Sequence, residues 1–476
     1  MPTSALVEVA SRDDQARVAT TITDRLSQEL VIGLVGPVGS GVSTTAQYIA
    51  DILRNDYGYT VPEVIKPSDI IKREAHRVGL AGVAPVPLSE YITQMQTAGN
   101  KLRERFGNNY LAEKTVEQIV AFRKDDGGYA HAGHQLPHRR AFVIDSIKNK
   151  EELDLFRQIY GDTFCVFGIF APDAIRKTRL TDNGVPEADV QTIIERDQGE
   201  LLTFGQMTRK VFVESDFFIC NDQKKEELRR RIARYLGIIF DTNIHTPTRA
   251  ESAMYEASAA ASNSACMSRQ VGAAIISAEG ELIGVGWNDV PKFGGSLYIE
   301  DDQSVWDALR ESVQDHDHRC FKWKTRVCHN ETRRNTILDK IAAIISESGI
   351  LNADVTQQKV RELLVGTEVD SLTEFSRSIH AEMEAMLSVA REGKHSLRGA
   401  TLYTTTYPCH NCARHIVAAG ISSVVYIQPY QKSLATALHS DAITEDPTVK
   451  NHVVFRQYDG VAPKNYLRPS TYRLTT

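Results

Sequence analysis

Two short patterns constrain this chain more than any other feature: His380-Ala381-Glu382 and Pro408-Cys409-His410-Asn411-Cys412. Each stands where a helix is expected to begin. His380 to Arg391 has helical periodicity and stops at Gly393, and Thr401 to Thr405 reads as a strand. Cys409 to Ala419 is a second helix that stops at Gly420, and Ser423 to Ile427 is the next strand. Helices and strands alternating in this way fold as an α/β/α layer.

One imidazole and two thiolates supply three ligands to a tetrahedral zinc and leave its fourth position open, as in a catalytic rather than a structural site. Cys409 and Cys412 are three residues apart, so in a first helical turn their sulfurs point the same way. The positive helix N-terminus favours their thiolate forms, and Pro408 suits a helix start. A zinc held by His380, Cys409 and Cys412 lowers the pKa of a bound water to about 7 and so supplies hydroxide at neutral pH. Glu382, two residues beyond the histidine, is placed to carry a proton rather than to share the metal. Taken singly, CxxC is also a structural knuckle or redox pair, and HxE arises by chance. Together, with a strand between two helices, they match the signature of the zinc nucleobase deaminases.

The length of 476 residues gives two to four domains at ~100 to 200 residues each. Lys and Arg number 55 against 61 for Asp and Glu, a net charge of −6, so the chain lacks the basic surplus of a protein that neutralises many phosphates; a local basic groove stays open. Seven cysteines in a chain this long suit thiols and metal ligands better than a disulfide framework, and a reducing compartment follows. No apolar run reaches the ~18 residues that span a bilayer, and Met1 to Gln15 lacks the features of a signal peptide. The expectation is a cytosolic protein without a membrane anchor.

The first half has its own signature. Glu29 to Val35 reads as a buried strand, followed by a glycine-rich turn and a helical run. Ala141 to Ile147, Phe164 to Phe170 and Phe217 to Cys220 are further strands, with helices around Lys150 to Ile159 and Asp222 to Leu236. The expected fold is α/β, a parallel sheet with helices on both faces. Gly36 to Ser43 fits GxxxxGK[ST] except that Val42 stands where the lysine belongs. The backbone around Gly36, Gly39, Gly41, Ser43 and Thr44 can still cradle phosphate, with Ser43 and the strand-end Asp145 available to a magnesium ion. Arg176, Lys177 and Arg179 read either as a nucleotide-kinase lid or as a solvated helix face. Without the lysine, nucleotide or partner binding is favoured over phosphoryl transfer.

The polar segment Asp241 to Arg249 is the expected linker, giving domains 1–247 and 248–476. The second opens with an alanine-rich helix, Arg249 to Ala265, and a hairpin turning at Glu279 and Gly280. Gly294 to Phe375 is expected to be a mostly polar, partly helical insertion. Within it His316, His318, Cys320, Cys328 and His329 crowd together, a candidate structural zinc site built on the two cysteines and one or two of the histidines. Phe321 and Trp323 suggest that part of this segment packs.

Cys266 to Val271 (CMSRQV), Gly284 to Pro291 (GVGWNDVP), HAE and TTYPCHNCARHIVAAGI resemble the deoxycytidylate deaminase family over most of residues 250 to 476. The resemblance implies that Asn288 helps to hold the sugar and that Arg269 lies near the phosphate. Trp287 and Asp289 depart from the family's usual aromatic and glycine around that asparagine. The whole chain, a P-loop-like half joined to a deaminase, resembles the bacterial anti-phage dCTP deaminases. That resemblance implies conversion of dCTP and dCMP to dUTP and dUMP with release of ammonia, draining dCTP from viral DNA synthesis. It also implies a small inhibitory RNA partner, a dNTP effector and a homo-oligomer. A nucleotide-salvage kinase/deaminase and a polynucleotide cytidine deaminase are the alternatives.

Overall fold

The structure is a computed structural model that describes residues 29–80, 87–128, 138–198, 205, 207–222, 225–242, 244–302, 304–307, 312–315, 317–322, 326–352, 355–367, 369, 372, 375–430 and 433–466. The chain divides into two compact units. One takes the described residues up to His245 and those from Asp459 onward; the other is Thr246–Tyr458.

In the first unit β1 (Leu30–Val35), β2 (Ala141–Ile144), β3 (Phe164–Phe170) and β4 (Phe217–Cys220) form a parallel sheet in the order β2-β1-β3-β4. Every residue of β1 is buried, as a strand covered on both faces requires. Leu30, Ile32 and Leu34 pack with Ile49 and Leu53 of helix Val42–Asn55 and with Ile232 and Leu236 of helix Lys225–Ile239. Gly33 faces the other side, where a Cβ would stand 2.6 Å from Ile147 Cδ1. The glycine loop joins β1 to helix Val42–Asn55, so it lies at the carboxyl end of the sheet, where ligands of such folds bind.

The second unit carries a mixed sheet. Its antiparallel hairpin β5 (Gly272–Ile276) and β6 (Leu282–Trp287) is followed by the insertion, which holds a small ribbon of β7 (Ser304–Asp307) with β8 (Ser312–Asp315) and helices His329–Glu347 and Gln357–Leu364. Then come β9 (Thr401–Thr406), β10 (Ser423–Gln428), β11 (Ile443–Thr444) and β12 (Val453–Gln457), giving the order β11-β12-β10-β9-β5-β6. Ala273, Ile275, Leu402 and Val424 pack with Ala385 and Val389 of helix Ala381–Glu392 and with Ala413 and Ile416 of helix His410–Ala418. Gly284 and Gly286 let the first of these helices lie close on β6: a Cβ at Gly286 would stand 2.3 Å from Ala385 N.

Three differences from the sequence reading have physical causes. The opening helix of the second unit runs Arg249–Ala261, begun by a Thr248–Glu251 capping box and ending short of Ala265. His380 and Cys409 are the N-cap residues of their helices, with extended rather than helical backbone. The tail leaves the second unit: β13 (Gly460–Val461) pairs antiparallel with β4, and Ala462 N donates to Asp216 O at 2.9 Å. The apolar β4 would otherwise expose an open sheet edge. Asp459 and Lys464 fasten this return through Arg231 (2.5 Å) and Asp216 (2.9 Å).

Candidate active site

Helices Ala381–Glu392 and His410–Ala418 deliver three donor atoms to one point. Cys409 Sγ and Cys412 Sγ each lie 3.3 Å from His380 Nδ1, and one donor from each residue falls within 4.8 Å of the others. Among the described residues this is the only His, Cys, Asp or Glu group so gathered. Zinc bonds of about 2.0 Å to nitrogen and 2.3 Å to sulfur at tetrahedral angles place such donors roughly 3.5 to 3.8 Å apart, so the set fits zinc with little adjustment.

Electrostatics agree with the geometry. Hydrogen bonding from Cys412 and then from His380 holds the Cys409 thiol down to about 3. The hydrogen bond to Cys409 raises His380 to about 9, and the bond to Cys409 together with burial pushes Cys412 well above the usual thiol range. The opposite shifts mark three groups that share protons at one point, where a metal cation would compete with those protons. Glu382 is 4% exposed and accepts from Cys412 Sγ at 3.4 Å; burial raises its carboxyl.

A cleft of about 250 Å³ opens above these residues. Its wall includes Arg269 and Asn288 with His380, Glu382 and Cys409, so the two residues expected at a substrate join the metal group. Asn288 is largely committed to the backbone: Nδ2 donates to Arg269 O at 2.7 Å, and Oδ1 accepts from Val271 N at 2.7 Å and Ser264 Oγ at 3.1 Å. It braces the loop that carries Arg269. The Arg269 guanidinium lies 5.7 Å from the centre of the Tyr430 ring. Tyr407 and Tyr430 also line the cleft; the sequence reading did not single out either, although Tyr407 stands inside the TTYPCHNC run.

The second group of candidate ligands is not gathered in the same way. His316 and Trp323 lie outside the described residues. Cys320, Cys328 and His329 line one small cavity with Cys266, while His318 is not part of that lining. The Cys320 thiol is raised by burial and accepts a hydrogen bond from the His329 backbone at the start of helix His329–Glu347.

In the first unit Gly39 and Gly41 have φ of +81° and +84°, the left-handed region that favours glycine. Ser43 Oγ donates to Asp145 Oδ2 at 2.6 Å. Val42 is buried in the core, and Ser43 and Thr44 stand exposed at the first helical turn. Arg176 and Arg179, on helix Asp173–Asp182, donate to the loop carbonyls of Val38 (2.9 Å) and Gly39 (3.2 Å). They grip the loop from the side.

Residues 247–428 match the sequence profile of the cytidine and deoxycytidylate deaminase zinc-binding region. Over 55 residues the chain is 47% identical to the deoxycytidylate deaminase of Enterobacteria phage T2, which is 12% of this chain and 29% of that protein; the chain thus spans under a third of that relative's length. Over 204 residues it is 24% identical to a UPF0200 protein of Saccharolobus islandicus, 42% of this chain and 89% of that protein. The dCMP deaminase from the cyanophage S-TIM5 is a similar solved structure, at 15% identity, TM-score 0.23, and coverage of 45% of this chain and all of that one. The profile match assigns residues 247–428, and not the chain as a whole, to the cytidine and deoxycytidylate deaminase zinc-binding region.

Proposed function

We propose that this chain is a zinc-dependent hydrolase that converts deoxycytidine nucleotides, dCMP and dCTP, to their uracil counterparts and ammonia. The observation that carries the reading is the convergence of His380, Cys409 and Cys412 beside a buried Glu382 at one wall of a cleft that also holds Arg269. Zinc, when bound, supplies an activated water at neutral pH. Glu382 takes one proton from the attacking water and delivers it to ring N3; it then takes the second, from the hydroxyl added at C4, and passes it to the amino group, so that the C4–N bond breaks, ammonia leaves and a C4 carbonyl remains. Arg269 meets the 5′-phosphate, Tyr430 backs its guanidinium, and Asn288 holds both the loop and the sugar. The resemblance to anti-phage dCTP deaminases adds depletion of dCTP during viral DNA synthesis, a small inhibitory RNA, a dNTP effector and self-association as proposals of the same kind. Among the described residues no helix is long and apolar enough to cross a membrane.

The test is uracil formation from cytidine, dCMP, dCTP, CTP and a cytosine-bearing oligonucleotide with purified protein. Turnover of dCMP or dCTP is expected, and turnover of the oligonucleotide alone would overturn the reading. Magnesium belongs, on this proposal, to nucleotide held by Ser43 and Asp145 in the first unit, with Val42 leaving phosphoryl transfer without its usual cation.

A second zinc is proposed in the insertion. The shared cavity favours Cys266, Cys320, Cys328 and His329 as its ligands, which would join the insertion to the substrate loop. Two zinc ions per chain are expected by elemental analysis, falling to one in Cys320→Ser or Cys328→Ser; one ion in the unaltered chain would exclude the second site.

A further inference from the structure

The two helices of the insertion hold more apolar surface than they bury. Helix His329–Glu347 has 19 residues, of which two are buried, Leu338 and Ala342. Helix Gln357–Leu364 buries Val360 and no other of its residues. Yet the longer helix also carries Ile337, Ile341, Ile344 and Ile345, and a helix normally turns such residues inward. Ile344 is 68% exposed, and Leu363 on the shorter helix is 69% exposed. Apolar side chains left in the open along one element mark an interaction site.

The shorter helix covers the opposite side. Arg361 donates from Nε to Asp339 Oδ1 at 2.6 Å and from Nη2 to Asn335 Oδ1 at 3.2 Å, which fixes the side on which it packs. At about 100° per residue, Ile344 stands roughly 180° around the helix from Asn335. Ile337, Ile341 and Ile344 follow the i, i+4, i+7 spacing of a single stripe there. Lys340 and Glu347 lie on the same stripe, one turn before and one turn after Ile344, and both are exposed. Asp339 has its ion pair with Arg361, whereas among the described residues neither Lys340 nor Glu347 has one.

We propose that this stripe is a contact between two copies of the chain, packed antiparallel about a two-fold axis that passes between Ala343 and Ile344. The charges select the occupant. Lys340 and Glu347 stand equally far from that axis on its two sides, so the rotation lays Lys340 against the partner's Glu347 and Glu347 against the partner's Lys340. A patch that complements itself in this way is what an isologous interface requires. Ile344 then meets the partner's Ala343, a large side chain against a small one. One charge of each sign gives the stripe no cationic excess, which an anionic lipid surface or a nucleic acid would need. A single helix pair is smaller than the roughly 1,200 Å² of a standard interface, so the contact is expected to form at micromolar rather than nanomolar concentration. It gives a place to the self-association proposed above and does not depend on the deaminase reading.

The test is sedimentation velocity of the full chain from about 1 to 100 μM. The unaltered chain is expected to associate within that range, and Ile344→Glu, which sets a charge on the axis, to halve the mass of the associated species. Lys340→Glu opposes like charges across the axis and is expected to weaken association several-fold at low salt, and less at high salt. Adding Glu347→Lys to that variant restores opposite charges and is expected to recover the unaltered affinity, which a folding defect cannot do. All three side chains are exposed, so zinc content and Tm are expected to stay at the unaltered level. A monomer throughout the range, an unchanged mass in Ile344→Glu, or a double variant that associates no more tightly than Lys340→Glu would overturn the proposal. dCMP turnover in the same samples reports separately on the deaminase reading.

Discussion

Replacing Glu382 with alanine is expected to lower uracil formation by about 10²- to 10⁴-fold while zinc content stays at the wild-type level. The two readouts separate because the residue sits beside the donor set without belonging to it. His380, Cys409 and Cys412 complete the ligand group, and Glu382 makes only a 3.4 Å contact with Cys412. Glu382→Gln keeps the shape and removes the exchangeable proton, so it is expected to match the alanine variant. Cys412→Ala behaves differently: it deletes a ligand that is 1% exposed, and both metal and turnover are lost. If Glu382→Ala lost its zinc as well, the carboxylate would be a metal ligand or a structural support. If it kept full turnover, the proton would travel another way.

Much of this site was legible in the sequence because metal chemistry dictates residue type and local spacing. A thiolate pair three residues apart at a helix start, and a carboxylate two residues after an imidazole, are short-range facts. The apolar strands were legible for a similar reason: FCVFGIF and LVIGLV have no solvent face to offer. What escaped depends on partners distant in the chain. Nothing near Gly460 announces that it will cover β4. Asn288 was singled out for a sugar, yet its carboxamide is mostly spent on Arg269 O and Val271 N. The sequence reading passed over helix Leu88–Phe106, whose buried Gln96, Asn100 and Arg103 become visible only in the fold. His/Cys density in the insertion was visible, but Cys266, which completes the cavity lining, comes from a different stretch.

Arg319→Met is expected to destabilise the second unit by about 3 to 5 kcal/mol, the usual cost of removing one partner of a buried ion pair. Arg319 is 4% exposed and grips Asp317, itself 3% exposed, through Nε at 3.0 Å and Nη2 at 2.8 Å. Its Nη1 also stands 4.0 Å from Asp289 Oδ2. Asp289 is 1% exposed and accepts from Ala265 N at 2.9 Å and Val290 N at 2.8 Å, so the guanidinium links the insertion to the start of the substrate loop. Methionine fills the space but takes the guanidinium away from two buried carboxylates. Burial pushes the Asp317 carboxyl up, yet the bonds from Arg319 outweigh it and hold it below the ordinary range. The contribution is therefore complete at neutral pH and fades as the pH falls through that lowered range. Glu300 offers the control: it lies 3.6 Å from the same guanidinium but is 79% exposed, so Glu300→Gln is expected to change little. Arg319→Lys keeps the charge and loses the two-pronged grip, and its loss should fall between the two. Denaturant unfolding followed by zinc release reads the second unit alone. A loss in Arg319→Met no larger than in Glu300→Gln would mean that the insertion is held by other contacts and that Asp289 needs no counter-charge.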